Sequence, residues 1–265
     1  MKKYLLLIAI LSLIYVGCQS DIAKNIDKNI KNVNGISTDI LENKAQEDLK
    51  AKEVEKKTAI VIKPEVFLDV PFAVQFPTGN MNDPYQEACE ETSIIIAKAF
   101  IDGKTDDSLD NSFVDQEINS MVRWQEENWG GHFDLDTKNT LKLFQDYYSL
   151  SNGEVTTINS VDDLKGYLSE DKIIIAPTYG MKLDNPYFTA PGPAFHMLVI
   201  KGYNDKEFIT NDPGIGLGRD FKYTYDNLFN AIHDLPTEAV LKYNWIKDHP
   251  EFMDSGGKFV IVINR

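Results

Sequence analysis

Ala190-Pro-Gly-Pro-Ala-Phe-His-Met-Leu-Val-Ile-Lys-Gly-Tyr-Asn-Asp-Lys-Glu-Phe-Ile-Thr-Asn-Asp-Pro-Gly-Ile-Gly-Leu-Gly218 organises this chain. A strand-like run, Phe195 to Lys201, is followed by a turn, Gly202 to Asp205. A second run, Glu207 to Thr210, ends at Asn211-Asp212-Pro213-Gly214. Branched and aromatic residues on either side of a Gly/Asn/Asp turn predict a β-hairpin. His196 begins the first strand and Asp212 follows the second. In an antiparallel pair those ends lie side by side, so an imidazole and a carboxylate reach one edge of a sheet. The nucleophile that would complete such a pair must come from elsewhere, and Cys89 is the cysteine placed to supply it.

Upstream of the hairpin, Lys172 to Thr178 reads as a continuous apolar strand, and Ser160, with Asp163 in the capping-box position, starts a helix over Val161 to Ser169. Asn152-Gly153 turns into a short strand, Glu154 to Ile158. Asp136 caps a helix over Thr137 to Tyr148, and Ser112 to Asn128 reads as another, broken by Trp129-Gly-Gly-His132. Ahead of these lies an apolar helix that ends at Gly103. Its start is ambiguous. Asp83-Pro84 is a start signal that would put Cys89 in the second turn, whereas a start near Glu87 would put it in the first. Phe67 to Gln75 is extended, with Pro71 marking an edge or a lead-in. Downstream, Asn227 to His233 reads as a short helix and Lys258 to Asn264 as a last buried strand. Helices first and antiparallel strands later predict an α+β fold for residues 67–265, long enough for one domain with its own core.

The N-terminal end has a different character. Lys2 and Lys3 precede an apolar run from Tyr4 to Val16 that is too short for a comfortable membrane span, which predicts a signal peptide. Gly17-Cys18 resembles a lipobox, so residues 1–18 are expected to be a lipoprotein signal peptide with lipid attached at Cys18. Residues 19–66, rich in Asn, Lys, Asp, Glu and Ile, are expected to be a flexible tether. The chain would then be exported and anchored by lipid in a bacterial cell envelope. Lipid on Cys18 would leave Cys89 unpaired, a candidate reactive thiol. The net charge of −14 is uneven: of 27 basic and 41 acidic residues, 11 and 9 lie in residues 1–66, leaving 16 and 32 in the domain. This acidic surface argues against nucleic acid as a partner.

A thiol near pKa 8.5 needs help to ionise at neutral pH. A helix N-terminus and an imidazolium both supply it, and a third group must orient the imidazole. Cys89, His196 and Asp212 each fill one of these roles. The oxyanion needs donors as well: the Cys89 backbone N–H is one, and a glutamine amide is a suitable second. Gln75 and Gln86 compete, with Gln75 preferred because it comes from a separate segment and can approach across a cleft. Glu90 and Glu91 oppose thiolate formation unless they point away.

Val-Pro-Phe-x-x-Gln (70–75), Asp-Pro-Tyr-Gln-Glu-Ala-Cys-Glu-Glu (83–91), Phe-His-Met-Leu-Val-Ile-Lys-Gly-Tyr (195–203) and Thr-Asn-Asp-Pro-Gly (210–214) together resemble the bacterial peptidase C39-like, papain-fold family. The resemblance runs over most of residues 67–265. It implies a papain-like α+β fold, with a central nucleophile helix packed on an antiparallel sheet. It also implies a cysteine peptidase with Cys89, His196 and Asp212 as catalytic centre and Gln75 as oxyanion donor. Many members have Cys-Gly where this chain has Cys89-Glu90, and many place the Gln closer to the Cys. No cofactor is implied.

Other features read as structural. His132, His233 and His249 have no second ligand at metal spacing, so no metal is expected and His132 reads as a loop histidine. Trp124, Trp129, Tyr147 and Tyr148 read as core rather than a groove. Gly214-x-Gly216-x-Gly218 lacks the Lys and helix of a phosphate loop and reads as a mobile lip beside the site. The expected function is a membrane-tethered, monomeric cysteine peptidase acting through a thioester on a peptide or peptidoglycan-derived substrate. The alternatives are an inactive papain-like module binding peptides or wall fragments, and a peptidoglycan endopeptidase.

Overall fold

Ile173–Thr178 (β3) is buried at every position, so it must be covered on both faces. It is. The computed structural model describes residues 61–240, 242 and 245–265. In it β3 lies inside an antiparallel sheet ordered β2, β7, β3, β4, β5, β6, with β2 at Gly153–Thr157, β4 at His196–Tyr203, β5 at Glu207–Asn211, β6 at Phe221–Thr224 and β7 at Phe259–Ile263. A short β1, Val66–Phe67, pairs with the end of β4.

The pleat sorts side chains between two cores. Ile173 and Ile175 join Met197, Val199, Ile261 and Ile263 against helices α1 (Cys89–Ile101), α2 (Asn111–Trp129) and α3 (Thr137–Tyr148). Ile174 and Ala176 join Leu198, Ile200, Val260 and Val262 against α4 (Val161–Ser169) and α5 (Tyr225–Ala231). A last short helix, α6, spans Trp245–Asp248. The α+β class expected from the sequence is therefore the observed one, with helices on both faces of the sheet.

Capping chemistry sets the helix starts. Asp110, Asp136 and Ser160 each accept a backbone N–H three residues on, and Asp163 returns the bond to Ser160 as a capping box. The hairpin forms as the sequence predicts, with Val199 opposite Asn211 and Ile200 opposite Thr210. A register shift between Ile200 and Gly202 bulges Lys201, whose buried Nζ reaches Asp220 Oδ1 at 2.8 Å. Strand β6 was not foreseen. The extended segment after Phe67 forms no long strand: only Val66–Phe67 and the isolated pair Phe72 and Ser108 bridge.

Residues 1–60, with the signal segment, Cys18 and most of the expected tether, lie outside the described residues. Its last residues do not behave as a tether. Val66 is buried, the Lys63 backbone N–H donates to Ser169 Oγ at 3.0 Å, and Lys63 O accepts from Tyr203 Oη at 2.6 Å. Deleting residues 1–66 should therefore be costlier than deleting 1–60, by about 2–4 kcal/mol from one buried valine and two hydrogen bonds. Equal urea midpoints for the two truncations would refute this.

Candidate active site

Cys89 is the first residue of α1. A short 3-10 turn, Tyr85–Glu87, precedes it, and Asp83 is not the cap. No side chain caps α1, because Ala88 has none to offer. The first-turn N–H groups have no helical acceptor, and the positive end of the helix dipole sits at the thiol. The Met197 backbone N–H also points at Sγ, which brings the start of β4 beside the start of α1.

His196 opens β4 and is 3% exposed. Its Nε2 lies 2.7 Å from Asp212 Oδ1, which leaves Nδ1 as the nitrogen available to a thiol. Asp212 is fully buried and saturated with donors. Oδ1 also accepts the Gly214 N–H at 3.0 Å, while Oδ2 accepts Tyr223 Oη–H at 2.6 Å and Asn185 Nδ2–H at 3.4 Å. Asp212 therefore closes its own turn and holds the imidazole at once. Burial raises its pKa, but the facing His196 and the donated hydrogen bonds outweigh that, so the carboxyl is held below the usual range. Asn211 is committed elsewhere, its amide donating to Val70 O and Pro71 O at 3.0 Å each.

Cys89, His196, Gln75, Gln86 and Gly214 line one cavity of about 530 Å³. The sequence did not reveal its aromatic wall, which Phe76, Tyr187, Phe188 and Phe195 supply from separate loops. Of the two glutamines, Gln75 is buried and Gln86 exposed. The Gln75 amide donates to Tyr85 O at 2.9 Å and Gln86 O at 3.2 Å, and its backbone N–H donates to Pro213 O at 2.9 Å. It braces the turn before Cys89 against the loop after Asp212.

That loop is pinned. Asp212 N–H donates to Gly218 O at 2.9 Å and Gly218 N–H to Ile215 O at 3.0 Å. A Cβ on Gly214 would stand 2.7 Å from His196 Cε1, and one on Gly218 would stand 1.8 Å from Asp212 O. The glycines of this lip thus allow close approach to the His196–Asp212 pair. Gly218→Ala should push the Asp212 backbone away and cost about 1–3 kcal/mol, read as a lowered melting temperature. An unshifted melting temperature would show that the loop yields freely.

The two acidic neighbours of Cys89 behave differently. Glu91 points away from the thiol. Its Oε1 accepts Gln125 Nε2–H at 2.5 Å and lies 3.2 Å from His132 Nε2. His132, expected to be a loop histidine, does lie in the loop after α2, but it is half-buried against Glu91. Burial lowers its pKa, but Glu91 more than offsets this and holds it at about 9. The pair spans 41 positions, which no local pattern signals. Glu90 does not point away: the Cys89 thiol donates to its Oε2 at 2.9 Å, and Leu135 N–H donates to its Oε1 at 3.0 Å. Burial first, then Glu90, push the thiol well above its ordinary range, while the Met197 N–H pulls the other way. Nearby, Asp134 is raised to about 7, chiefly by burial and then by Glu87.

Trp124 and Trp129 meet edge to face, as do Tyr147 and Tyr148, and all four pack on the core. His249 stacks on Trp245. Among the described residues no group of His, Cys, Asp and Glu is arranged to hold a metal.

A helix carrying a cysteine at its N-terminus, packed on an antiparallel sheet that presents a His–Asp pair, is the papain-like α+β fold. The chain belongs to the Peptidase_C39 like family, which matches residues 67–238. Among solved structures it is similar to a candidate C39-like peptidase from Bacillus anthracis. The two share 16% identity and a TM-score of 0.43, over 77% of this chain and 99% of that one. No curated protein matches the chain.

Proposed function

We propose that the protein is a cysteine peptidase that hydrolyses peptide or amide bonds through a thioester on Cys89. The observation that carries this is the shared cavity: Cys89 at the start of α1 and the 2.7 Å His196–Asp212 pair line one cleft. His196 Nδ1 takes the thiol proton, and Asp212 fixes the tautomer and stabilises the imidazolium. The thiolate attacks the carbonyl carbon, and the Cys89 N–H serves the oxyanion; the Gln75 amide joins it by turning one N–H away from the Tyr85 and Gln86 carbonyls that it holds. The imidazolium proton goes to the leaving amine. Water, with imidazole as base, then releases the acid. Cys18 carries the lipid that fixes the exported chain to the membrane, and the substrate is a peptide or peptidoglycan-derived peptide of the envelope.

A second reading, an inactive binding module, is favoured by the hydrogen bond from the Cys89 thiol to Glu90. The discriminating experiment incubates the protein with a peptide library and with purified muropeptides, before and after alkylation of Cys89. Cleavage lost on alkylation, with a transient acyl adduct on the Cys89 peptide, supports the peptidase. Retention of peptides without cleavage supports the binding module, and muropeptide release alone supports a peptidoglycan endopeptidase. Palmitate label entering the wild-type chain but not Cys18→Ala tests the anchor.

A further inference from the structure

Glu90 is 1% exposed, yet the sulfur lies against one of its oxygens. Oε1 is fixed by the Leu135 N–H, which leaves Oε2 2.9 Å from Cys89 Sγ. A proton between Sγ and Oε2 serves in either direction. On sulfur, it makes a thiol donating to a carboxylate; on oxygen, it makes a carboxylic acid donating to a thiolate. These two states have opposite consequences for a nucleophile.

We propose that Glu90 is a further catalytic residue: protonated, it donates to the Cys89 thiolate, and ionised, it holds the thiol protonated. This rests on Cys89 being the nucleophile. In the active form the thiol proton moves to His196 Nδ1 and the Glu90 O–H donates to the sulfur anion. When Glu90 then loses its proton to water, its carboxylate repels the thiolate and the imidazolium proton returns to sulfur. The nucleophile is thereby switched off as pH rises.

The surroundings favour a retained Glu90 proton. Burial, then Glu91 on the same helix and Asp134 from the loop before α3, push the Glu90 carboxyl well above the usual carboxylate range. Glu87, on the turn before α1, adds a further acid beside Asp134. His132 is the nearby base, and its 3.2 Å contact is to Glu91, not Glu90. Across the cleft stand His196 on β4 and Lys247 on α6, the latter acting on Glu87.

The test uses the full chain carrying Cys18→Ala, so that Cys89 is the single thiol, and follows its alkylation by iodoacetamide from pH 4.5 to 9 by mass spectrometry. The expected rate falls at least about tenfold with rising pH as Glu90 ionises, then climbs again as the thiol itself ionises. Glu90→Gln should remove the fall. Its carbonyl can accept from Leu135 N–H and its amide can donate to Sγ, so it should alkylate at least about tenfold faster than the parent at pH 8 and equally at pH 5. Glu90→Ala, without the donor, should be slower than Glu90→Gln throughout. A single monotonic rise in the parent overturns the proposal, even if Glu90→Gln fails to fold. Peptide cleavage measured alongside separates the two readings. The expected alkylation profile without cleavage keeps the Glu90 role and removes the peptidase. Cleavage with a monotonic profile does the reverse.

Discussion

Asp212→Ala should abolish turnover and lower stability by about 3–5 kcal/mol, the cost of stripping a buried carboxylate from several donors at once. Both effects follow from the four groups that converge on this carboxylate. Without it, Tyr223 Oη, the Gly214 N–H and the Asn185 amide lose a buried acceptor, and the His196 ring is free to rotate. Asp212→Asn separates charge from scaffold. The amide oxygen can keep the His196 and Gly214 contacts, and Tyr223 can turn its hydroxyl to accept. Asn185 is left facing another donor at 3.4 Å, a small strain. The fold should survive with a modest loss of melting temperature. Turnover should still fall about tenfold to a thousandfold, because the imidazolium loses its counter-charge. Turnover unchanged in a folded Asp212→Asn would remove the carboxylate from the chemistry. Asn211 could not then take its place, since its amide N–H groups donate to the Val70 and Pro71 carbonyls and its Oδ1 faces the Asp220 N–H at 3.4 Å.

Stability should be greatest near pH 4–5 and fall steadily toward pH 9. His132 has an ordinary value of 6.5 and is raised to about 9 in the fold, by Glu91 against the effect of burial. A raised base stabilises fully below 6.5, and that contribution is lost as pH rises through 9. The difference corresponds to about 3 kcal/mol. Asp134 is raised from 3.8 to about 7, by burial and then Glu87. A raised acid weakens the fold as pH climbs between those values, so it acts in the same direction. Asp234, raised to about 6 by burial, adds to it. The opposing groups are Asp212 and Asp254, whose lowered values remove stability only below about pH 4, and His233, which burial lowers from 6.5 and which takes back a smaller part below that value. Urea midpoints at pH 5, 7 and 9 should therefore descend, and His132→Gln should flatten the upper limb. A level or rising series would show that the buried acids are solvated.

Locally encoded features were legible. The caps at Asp136 and Ser160, the apolar run of β3 and the His196–Asp212 hairpin all follow from neighbouring residues, and the structure shows each element. The start of α1 was not decided by sequence, because Ala88 leaves no capping signature while Asp83-Pro84 gives a false one. Strand β6 escaped notice because it is four residues long, half exposed, and follows a glycine-rich loop. The Glu91–His132 pair and the aromatic wall were invisible for another reason: their residues are far apart in the chain and meet only when α1, α2 and the loops are packed.

Strand β4 has a mechanical consequence. His196 stands at one end, and at the other Tyr203 grips Lys63, where the chain passes from residues 1–60 into the domain. Seven residue steps separate them, roughly 24 Å of strand. Any tension applied through the N-terminal segment is delivered to the far end of β4 and shared with β3 and β5 before it reaches the cleft. If the N-terminal segment moors the chain, as proposed, a standoff is built in: that mooring can be pulled, lengthened or refitted without deforming the proposed catalytic geometry.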